Sequence, residues 1–354
     1  MSNIIVTGGA GFIASHLVDK LIDLGHNVIV IDNLSTGSIK NVNPKANFTG
    51  WDICDLNGYS EYNHHLTKKI DFIFHLAAQI NLRSSFTSPA DDAHTNIVGS
   101  LNVIALAKKY DAKLIFASTG GALYSEESPI PWTTQSKIDP KSPYGLAKHT
   151  VERYLNILDV KHTILRLSNV YGPRQNHKGE AGVISIFINN ILENKDLTIF
   201  GDGTQQRDFV YVDDVANAFV MAMGDAYNGT YNISTGIGTD ITTIAQMIIN
   251  GMDVNRNINY SDAISGEIKN IYLTGRGKLI VKGRTKIEEN KSRESIIITE
   301  IPYQVNKATL VEQIADLVKD KKLPDVSDIR DESAKGKVRI VIELRKEADS
   351  KFTL

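Results

Sequence analysis

The 354-residue chain has little of what stabilises secreted proteins or anchors membrane proteins. Its one cysteine, Cys54, excludes an internal disulfide. No apolar run approaches the roughly 20 residues that a membrane-spanning helix needs, and the chain opens directly on a strand pattern, without a basic-then-apolar leader. Since 42% of the residues are hydrophobic, a sizeable core can form. We therefore expect a cytoplasmic, globular protein with no membrane partner.

Metal-ligand spacing is also absent from the histidine pattern. His64, His65, His75 and His177 do not form a recognisable ligand set, so we interpret them as surface or core residues and predict no metal site.

The net charge of −2 is unevenly distributed along the chain. From Lys269 to the end the formal charge is +5, and the residues before it carry −7. Because basic and acidic residues are interspersed in the last part, we interpret the change as a domain boundary rather than as a nucleic-acid-binding surface.

A short apolar strand pattern at residues 4–6 runs into a glycine-rich turn and then into a helical pattern. Gly8 and Gly11 let the backbone turn tightly and approach a pyrophosphate, which free amides at the start of the helix would bind. An ordinary glycine loop is the alternative. The next apolar run ends in Asp32, where a carboxylate would accept hydrogen bonds from an adenosine ribose and repel a 2′-phosphate, so NAD is favoured over NADP.

Apolar runs then alternate with helical patterns up to about residue 120, which predicts a doubly wound parallel sheet. Ligands of such sheets bind beyond the carboxyl ends of the strands. The segments that the sequence places there are residues 8–11, Asp32, Asp52 with Ile53, residues 77–79, and Ser118 with Thr119.

A further motif suggests the chemistry. Tyr144 and Lys148 are four residues apart after a helix start at Ser142 and Pro143, so they share one helical face. Lowering a tyrosine pKa by ~3 units from its usual value of about 10 requires ~4 kcal/mol, which a nearby ammonium and a cationic nicotinamide can supply. Two surface residues at helical spacing are the alternative.

Together these motifs resemble the extended short-chain dehydrogenase/reductase family, and within it the UDP-glucose 4-epimerases and related nucleotide-sugar epimerases. The resemblance covers residues 1 to about 268 and is carried by residues 7–11, 32–34, 75–79, 144–148, 166–174, 200–203 and 207–214. It implies a Rossmann-like domain followed by a small α/β substrate domain, with tightly bound NAD, a nucleotide-sugar substrate and a homodimer.

The resemblance also implies roles for single residues. Tyr144 would take the proton of the sugar 4-hydroxyl while hydride moves to NAD, and Lys148 would hold the ribose and lower the Tyr144 pKa. Thr119 would hydrogen-bond the reacting hydroxyl, although counting back from Tyr124 places that position at Gly120, and Ser118 is a second alternative. The cofactor residues implied are Gly8, Gly11, Phe12, Ile13, Asp32, Asn33, Asp52, Ile53, Ala77, Ala78, Gln79, Asn96, Tyr144 and Lys148.

Substrate contacts and reaction type follow from two further features. Ser118 and Thr119 are the predicted contacts of the reacting hydroxyl, whereas Asn169 and Arg207 would bind the diphosphate. A surface ion pair is the alternative for Arg207. Dehydratases of the same superfamily have an acid pair after the catalytic hydroxyl, whereas Gly120 and Gly121 follow here, which favours an epimerase.

From about residue 272 the sequence resembles an internal fragment of the DNA gyrase A protein, through residues 274–284, 299–307, 328–333 and 339–344. The pattern predicts two strands, a helix with Leu310, Ile314, Leu317 and Val318 on one face, a loop, and a hairpin strand after residues 335–337. The DNA-cleaving tyrosine is not part of this fragment and Tyr303 belongs to a structural motif, so cleavage is not expected. Weak phosphate binding is expected at most, by Arg276, Lys278, Lys282 and Arg284.

We interpret the chain as a fusion, with an NAD-binding domain at 1–170, a partial substrate domain at 171–270 and a gyrase-like α+β fragment at 271–354. Ile264 stands where the epimerases have a phosphate-binding arginine, and the family's last helices have no counterpart. The first hypothesis is a nucleotide-sugar 4-epimerase, and the second a catalytically impaired NAD-binding fusion. The third is a DNA-binding fragment without cleavage activity. Because both truncations leave apolar surface uncovered, we expect residues 170–354 to be less stable than the first domain.

Overall fold

A computed structural model describes residues 1–55, 69–177, 182–261, 284–290, 293–300, 307–320, 322–334, 338–346 and 348. The chain divides into two compact units, Met1–Asp262 and Ala263–Leu354. Among the described residues, no helix combines the length and the apolar character that crossing a bilayer requires. His64, His65 and Tyr303 lie outside these residues, as do Ile264, Arg276, Lys278 and Lys282.

The strands of the first unit are, in chain order, β1 (Asn3–Thr7), β2 (Asn27–Ile31), β3 (Asn47–Thr49), β4 (Phe72–His75), β5 (Lys113–Thr119), β6 (His162–Leu167), β7 (Asn169–Tyr171), β8 (Leu197–Phe200), β9 (Gln206–Tyr211), β10 (Gly229–Ile233), β11 (Gly238–Asp240) and β12 (Ile258–Ser261). Its α-helices are α1 (Phe12–Asp23), α2 (Leu82–Thr87), α3 (Pro89–Ala93), α4 (Ser100–Tyr110), α5 (Pro143–Ile157), α6 (Val183–Leu192), α7 (Val212–Met221) and α8 (Ile241–Gly251). The described part of this unit also contains a 3₁₀ turn at Ile39–Asn41 and a π-helical segment at His94–Gly99.

Seven strands form one parallel sheet in the order β10-β6-β5-β4-β1-β2-β3. This confirms the predicted doubly wound fold. The chain runs from β1 to β2 and β3 on one side and then returns to add β4 on the other side of β1. The strand order therefore reverses between β1 and β4, and the crevice beyond their carboxyl ends is the binding position of such folds.

Apolar side chains fill both faces of this sheet because successive residues of a strand point to opposite faces. Ile4 and Val6 pack with α1 and α7, where Leu17 and Phe219 are fully buried. Ile5 and its neighbours pack with α4 and α5 on the other face. Burial on both faces explains why these strands appear in the sequence as continuous apolar runs.

Two small sheets lie outside the main sheet, in the order β11-β9-β7 and β12-β8. The second one packs with α6 and α8 around Phe187, Leu197, Ile199 and Ile244. Asp240 begins α8 by accepting a hydrogen bond from the Thr243 amide at 2.7 Å.

The described residues of the second unit form an antiparallel sheet and a helix, as the α+β prediction expects. Its elements are β13 (Arg284–Asn290), β14 (Arg293–Glu300), α9 (Lys307–Lys319), β15 (Val326–Asp331) and β16 (Ile340–Leu344), and the sheet order is β13-β14-β16-β15. Strand β15 pairs with β16, so the predicted hairpin strand is confirmed. Of the predicted helical face, Ile314 and Val318 pack on the sheet, whereas Leu317 is exposed.

A buried histidine connects the centre of the main sheet to α4. His75 is fully buried at the end of β4, 2.8 Å from the Thr7 hydroxyl through Nδ1 and 2.8 Å from the Ser100 hydroxyl through Nε2. Because Ser100 donates to the Asn96 carbonyl, Nε2 donates to Ser100 and Nδ1 accepts from Thr7. Burial, with a contribution from Lys148, lowers the pKa of His75 to about 3.

We expect this histidine to make the first unit sensitive to acid. The pKa of His75 is lower in the folded protein than in the unfolded chain, so below about pH 6 the unfolded state binds one more proton. The free energy of unfolding should then fall by about 1.4 kcal/mol per pH unit between pH 6 and pH 4 from this group alone. Urea unfolding followed by the fluorescence of Trp51 and Trp132, both in the first unit, measures it.

The control is His75→Gln, whose amide keeps a donor and an acceptor but does not titrate. It should be less stable than the unmodified protein at pH 7, and the difference should shrink as the pH falls. Parallel stability curves for the two proteins would contradict this account.

Candidate active site

The glycine turn after β1 fits closely against the segment that follows β4. Gly8 has φ +74°, and a Cβ added there would lie 2.7 Å from the Ala77 amide nitrogen. No side chain fits in that space. The sequence thus needs glycine at this position so that the backbone of the turn can reach the crevice between β1 and β4.

Helix α1 begins immediately after this turn without a side-chain cap. Gly11 is its N-cap and makes no side-chain hydrogen bond, and the Gly11 amide donates to the Gly8 carbonyl at 2.9 Å. Phe12 and Ile13 form the first turn, where the helix itself provides no acceptor for the amides. These amides and the positive end of the helix dipole suit a phosphate.

Asp32 lies beside the turn, as the spacing predicts. Its side chain accepts hydrogen bonds from the Ala10 amide at 3.0 Å and from the Leu34 amide at 2.8 Å. The carboxylate is thereby fixed at the end of β2, in the position where the lone pairs that remain suit a ribose hydroxyl.

The loops after β2 and β3 are joined by a second carboxylate. Asn33 donates to Asp52 at 2.9 Å, and Asp52 also accepts from the Cys54 amide at 2.8 Å. Burial opposes ionisation, but the hydrogen bonds from Cys54 and Asn33, together with the charge of His94, outweigh it and hold the pKa of Asp52 below its usual value. Ile53 packs in the apolar core, close to Gly99 at the end of the π-helical segment.

The wall that follows β4 is stabilised by an amide network. Asn96 accepts from the Gln79 amide and donates to the Gln79 carbonyl, both at 2.9 Å. It also donates to Asp92, which accepts a further bond from the Gln79 side chain at 2.8 Å. The side chain of Asn96 is therefore used to hold residues 77–79 in place.

Helix α5 brings the tyrosine and the lysine to the end of β5. Ser142 caps the helix, accepting from the Gly145 amide at 3.0 Å. Lys148 donates to the Ala117 carbonyl at 3.0 Å, and its Nζ lies 4.8 Å from the centre of the Phe116 ring and 6.0 Å from that of Tyr144. The predicted pair thus shares one helical face, directed to the carboxyl end of the sheet.

The pKa values of this pair differ from expectation. Burial lowers the pKa of Lys148 to about 8, against the opposing charges of Asp92 and Glu152. Burial and then the Asp92 charge raise the pKa of Tyr144 to about 12. In the protein without its cofactor, the loss of hydration disfavours the phenolate. The lowering of the Tyr144 pKa by Lys148 and a cationic nicotinamide stays a prediction for the NAD-bound protein.

The two hydroxyls at the end of β5 have different surroundings. Ser118 is 4% exposed and donates to Glu152 at 2.6 Å, so its side chain is turned into the protein. Thr119 points to the other face and is partly exposed. No described residue hydrogen-bonds its hydroxyl, which leaves Thr119 the better placed of the two for a substrate hydroxyl.

Asn169 and Arg207 lie on adjacent strands of the small β11-β9-β7 sheet. Asn169 pairs with Phe209, and Arg207, two residues before Phe209, shares that face. Arg207 is exposed and donates to the Gln206 carbonyl at 2.7 Å, and no described carboxylate pairs with it. A surface ion pair, the alternative interpretation, is thus not seen in the described part of the chain.

Three residues of this region were not predicted from the sequence, namely Asp92, Gly145 and Glu152. A Cβ on Gly145 would lie 2.3 Å from the Ala122 carbonyl oxygen, so glycine lets α5 contact the loop after β5. The sequence signal for Gly145 was a glycine within a predicted helix, a position where glycine is normally unfavourable. Asp92 and Glu152 looked like ordinary surface acids but are 2% exposed each.

Comparison with known proteins agrees with this geometry. The family described as NAD dependent epimerase/dehydratase matches residues 4–234, and the family of DNA gyrase and topoisomerase IV A-subunits matches residues 256–354. A putative UDP-glucose 4-epimerase of Methanocaldococcus jannaschii is 45% identical over 275 residues, 76% of this chain and 89% of that protein. UDP-glucuronic acid decarboxylase 1 of Xenopus tropicalis is 32% identical over 69% of this chain and 59% of its own length.

Solved structures of UDP-glucose 4-epimerases are also similar to this chain. A UDP-glucose 4-epimerase of Thermotoga maritima with UDP-glucose has a TM-score of 0.70 and 43% identity, covering 74% of this chain and 86% of that one. A Thermus thermophilus UDP-glucose 4-epimerase in complex with NAD has a TM-score of 0.69 and 35% identity, again covering 74% and 86%.

The predicted cofactor is confirmed, and the uncapped helix, the tight glycine turn and Asp32 fit it. The chain belongs to the NAD dependent epimerase/dehydratase family, and NAD is its cofactor.

Proposed function

We propose that the chain is a nucleotide-sugar 4-epimerase of the UDP-glucose/UDP-galactose type. The observation that carries the proposal is the packing of α5 against β5, held by the 3.0 Å hydrogen bond from Lys148 to the Ala117 carbonyl. It brings a phenol, an ammonium and the Thr119 hydroxyl to the sheet edge that also bears the glycine turn. The similarity to UDP-glucose 4-epimerases supports the same choice.

In this proposal each residue has one task. Tyr144 accepts the proton of the sugar 4-hydroxyl and later returns it, while Thr119 hydrogen-bonds that hydroxyl and orients it. Bound NAD supplies the hydride acceptor, and its nicotinamide brings a positive charge that favours the phenolate. Lys148 adds a second positive charge below its pKa of about 8. Because burial raises the pKa of Tyr144 to about 12 in the protein alone, proton release would depend on the positive charge that bound NAD brings.

We favour epimerisation over dehydration or decarboxylation because of the residues after Thr119. Gly120 and Gly121 offer no side chain, and a Cβ on Gly120 would already lie 3.3 Å from the Leu167 carbonyl oxygen. Elimination of water requires a general acid and base in addition to the tyrosine. The related UDP-glucuronic acid decarboxylases are the reason to test this distinction directly.

Asn169 and Arg207 are proposed to bind the diphosphate of the substrate. Both lie on one face of the β7 and β9 strands, and the Arg207 guanidinium has donors to offer. Charge-assisted bonds from arginine to phosphate are among the stronger polar contacts in proteins. The uncapped start of α1 remains available for the phosphates of NAD.

We further propose that the chain is a fusion, with the substrate domain within residues 171–270 and a gyrase-like fragment in 271–354. The second candidate function, DNA binding, rests on the match of residues 256–354 to the gyrase A protein. The described cations of this unit do not favour it. Arg339 pairs with Glu288 and Glu332, and Arg330 with Asp328, Glu332 and Glu343.

Catalytic impairment and the homodimer stay predictions. Leu146 and Ile157, 56% and 68% exposed, lie on the side of α5 opposite Lys148, which is where a second copy would pack.

Tyr144→Phe should lower the rate of conversion of UDP-galactose to UDP-glucose by a factor of about 10³, because the phenol is the proposed acid and base. Bound NAD should remain in the variant. Tyr154→Phe, on the exposed face of the same helix, is the matched control and should be as active as the unmodified protein. Chromatography of the UDP-sugars measures the turnover. Equal activity of the two variants would refute the assignment.

Arg207→Gln should raise the KM for the nucleotide sugar by about 10-fold to 100-fold, the value of a lost charge-assisted hydrogen bond. Arg207→Lys keeps the charge without the planar donors, so its KM should lie between those of the unmodified protein and Arg207→Gln. Steady-state kinetics with varied UDP-galactose measure both. An unchanged KM in Arg207→Gln would remove the residue from the diphosphate site.

Binding of the full-length chain to a double-stranded DNA should be undetectable at about 10 μM protein and physiological salt. Fluorescence anisotropy with a labelled duplex measures it at several salt concentrations. Binding that weakens steeply with salt, and that is lost when Arg276, Lys278, Lys282 and Arg284 are changed to alanine, would instead support the DNA-binding candidate.

A further inference from the structure

We propose that Glu152 is a positioning residue that sets the register between α5 and β5 and thereby the distance between Tyr144 and Thr119. The proposal rests on the proposed epimerase function for its kinetic consequences. Its structural part concerns how one buried acid holds the helix against the strand.

Glu152 continues the face of α5 that bears the catalytic pair. Tyr144, Lys148 and Glu152 follow one another at intervals of four residues, so they lie one above the other along the helix. Lys148 binds the Ala117 carbonyl at 3.0 Å, and Glu152 accepts from the Ser118 hydroxyl at 2.6 Å. Two consecutive residues of β5, directly before Thr119, are therefore fixed to two consecutive turns of α5.

The acid is held in turn by the next strand. Arg166 on β6 donates to both oxygens of Glu152, at 2.9 and 2.6 Å, and the side chains of the two residues are 5% and 3% exposed. Such a buried pair is often no more stabilising than apolar residues of the same size. Its bidentate geometry, however, leaves the carboxylate only one orientation, the one that receives Ser118.

The same arginine extends the constraint to the loop after Thr119. It donates to the Tyr124 hydroxyl at 2.9 Å, Tyr124 donates to Asn232 at 2.5 Å, and Asn232 donates to the Trp132 carbonyl at 3.0 Å. The guanidinium also lies 5.2 Å from the centre of the Tyr124 ring. Both ends of the segment that contains Thr119 are thus tied to Glu152, directly through Ser118 and indirectly through Arg166.

The charges around Glu152 give the proposal a second consequence. Arg166 faces it from β6, and His149 Nδ1 on its own helix lies 3.5 Å from one oxygen. Together with Asp92 it supports the charged form of Lys148, whose pKa burial lowers to about 8. Removing the charge of Glu152 should lower the Lys148 pKa further, so Lys148 would lose its proton at lower pH.

The test compares three variants of the full-length protein. Glu152→Gln removes the charge and keeps the shape, although it leaves Arg166 without its counter-ion. Ser118→Ala removes only the bond between strand and helix and keeps the buried pair, so it folds even if the first variant does not. Arg153→Gln changes the next residue, which is exposed on α5, and is the matched control.

We expect kcat for UDP-galactose to fall about 100-fold in Glu152→Gln and about 10-fold in Ser118→Ala, with KM changed less than about twofold, since misplacement of reacting groups acts on the chemical step. The alkaline limb of the kcat profile should move to lower pH in Glu152→Gln. Amide hydrogen exchange of residues 117–124 should become faster in both variants. Arg153→Gln should match the unmodified protein in every measurement.

Unchanged kcat and unchanged exchange of residues 117–124 in Ser118→Ala would overturn the proposal, as would a loss that appears only in KM. If the unmodified protein does not epimerise UDP-galactose, the proposed function fails, but the exchange measurement still decides whether Glu152 holds the strand to the helix.

Discussion

The hydrogen bond from Lys148 to the Ala117 carbonyl is the contact on which the site depends. An ammonium group that is almost fully buried must find acceptors, and here the acceptor is the backbone of the strand whose last residue is Thr119. One side chain thereby places α5 on the sheet and puts a positive charge beside Tyr144. Gly145 permits the same approach from the other side, since any larger residue would meet the Ala122 carbonyl.

Burial has opposite effects on the two members of the pair. It removes water from both, so it lowers the pKa of the lysine and raises that of the tyrosine. In the protein alone the site therefore holds a neutral phenol beside an ammonium, and a cationic ligand next to Tyr144 would favour proton release. A site built this way would become basic only when its cofactor is in place, which agrees with the proposed epimerase function, in which NAD would stay bound throughout the cycle.

Much of the fold could be predicted because the relevant signals are local. Buried parallel strands appear as apolar runs, the turn at Gly8 needs a glycine, and Ser142 and Pro143 mark a helix start. The roles of Asp92 and Glu152 could not be predicted, since an acid in a helix looks the same whether it faces water or an arginine from a strand. The raised pKa of Tyr144 in the protein alone could not be predicted for the same reason, because burial arises only from the tertiary fold.

The central claim, that this site moves a hydride from C4 of a sugar and returns it to the same carbon, has a direct isotopic test. The protein is incubated with UDP-galactose that carries deuterium at C4, and the product is analysed by mass spectrometry and proton NMR. The account predicts UDP-glucose that retains the deuterium at C4, with no exchange with solvent. Product that has lost the label, or that has lost water or carbon dioxide, would contradict it.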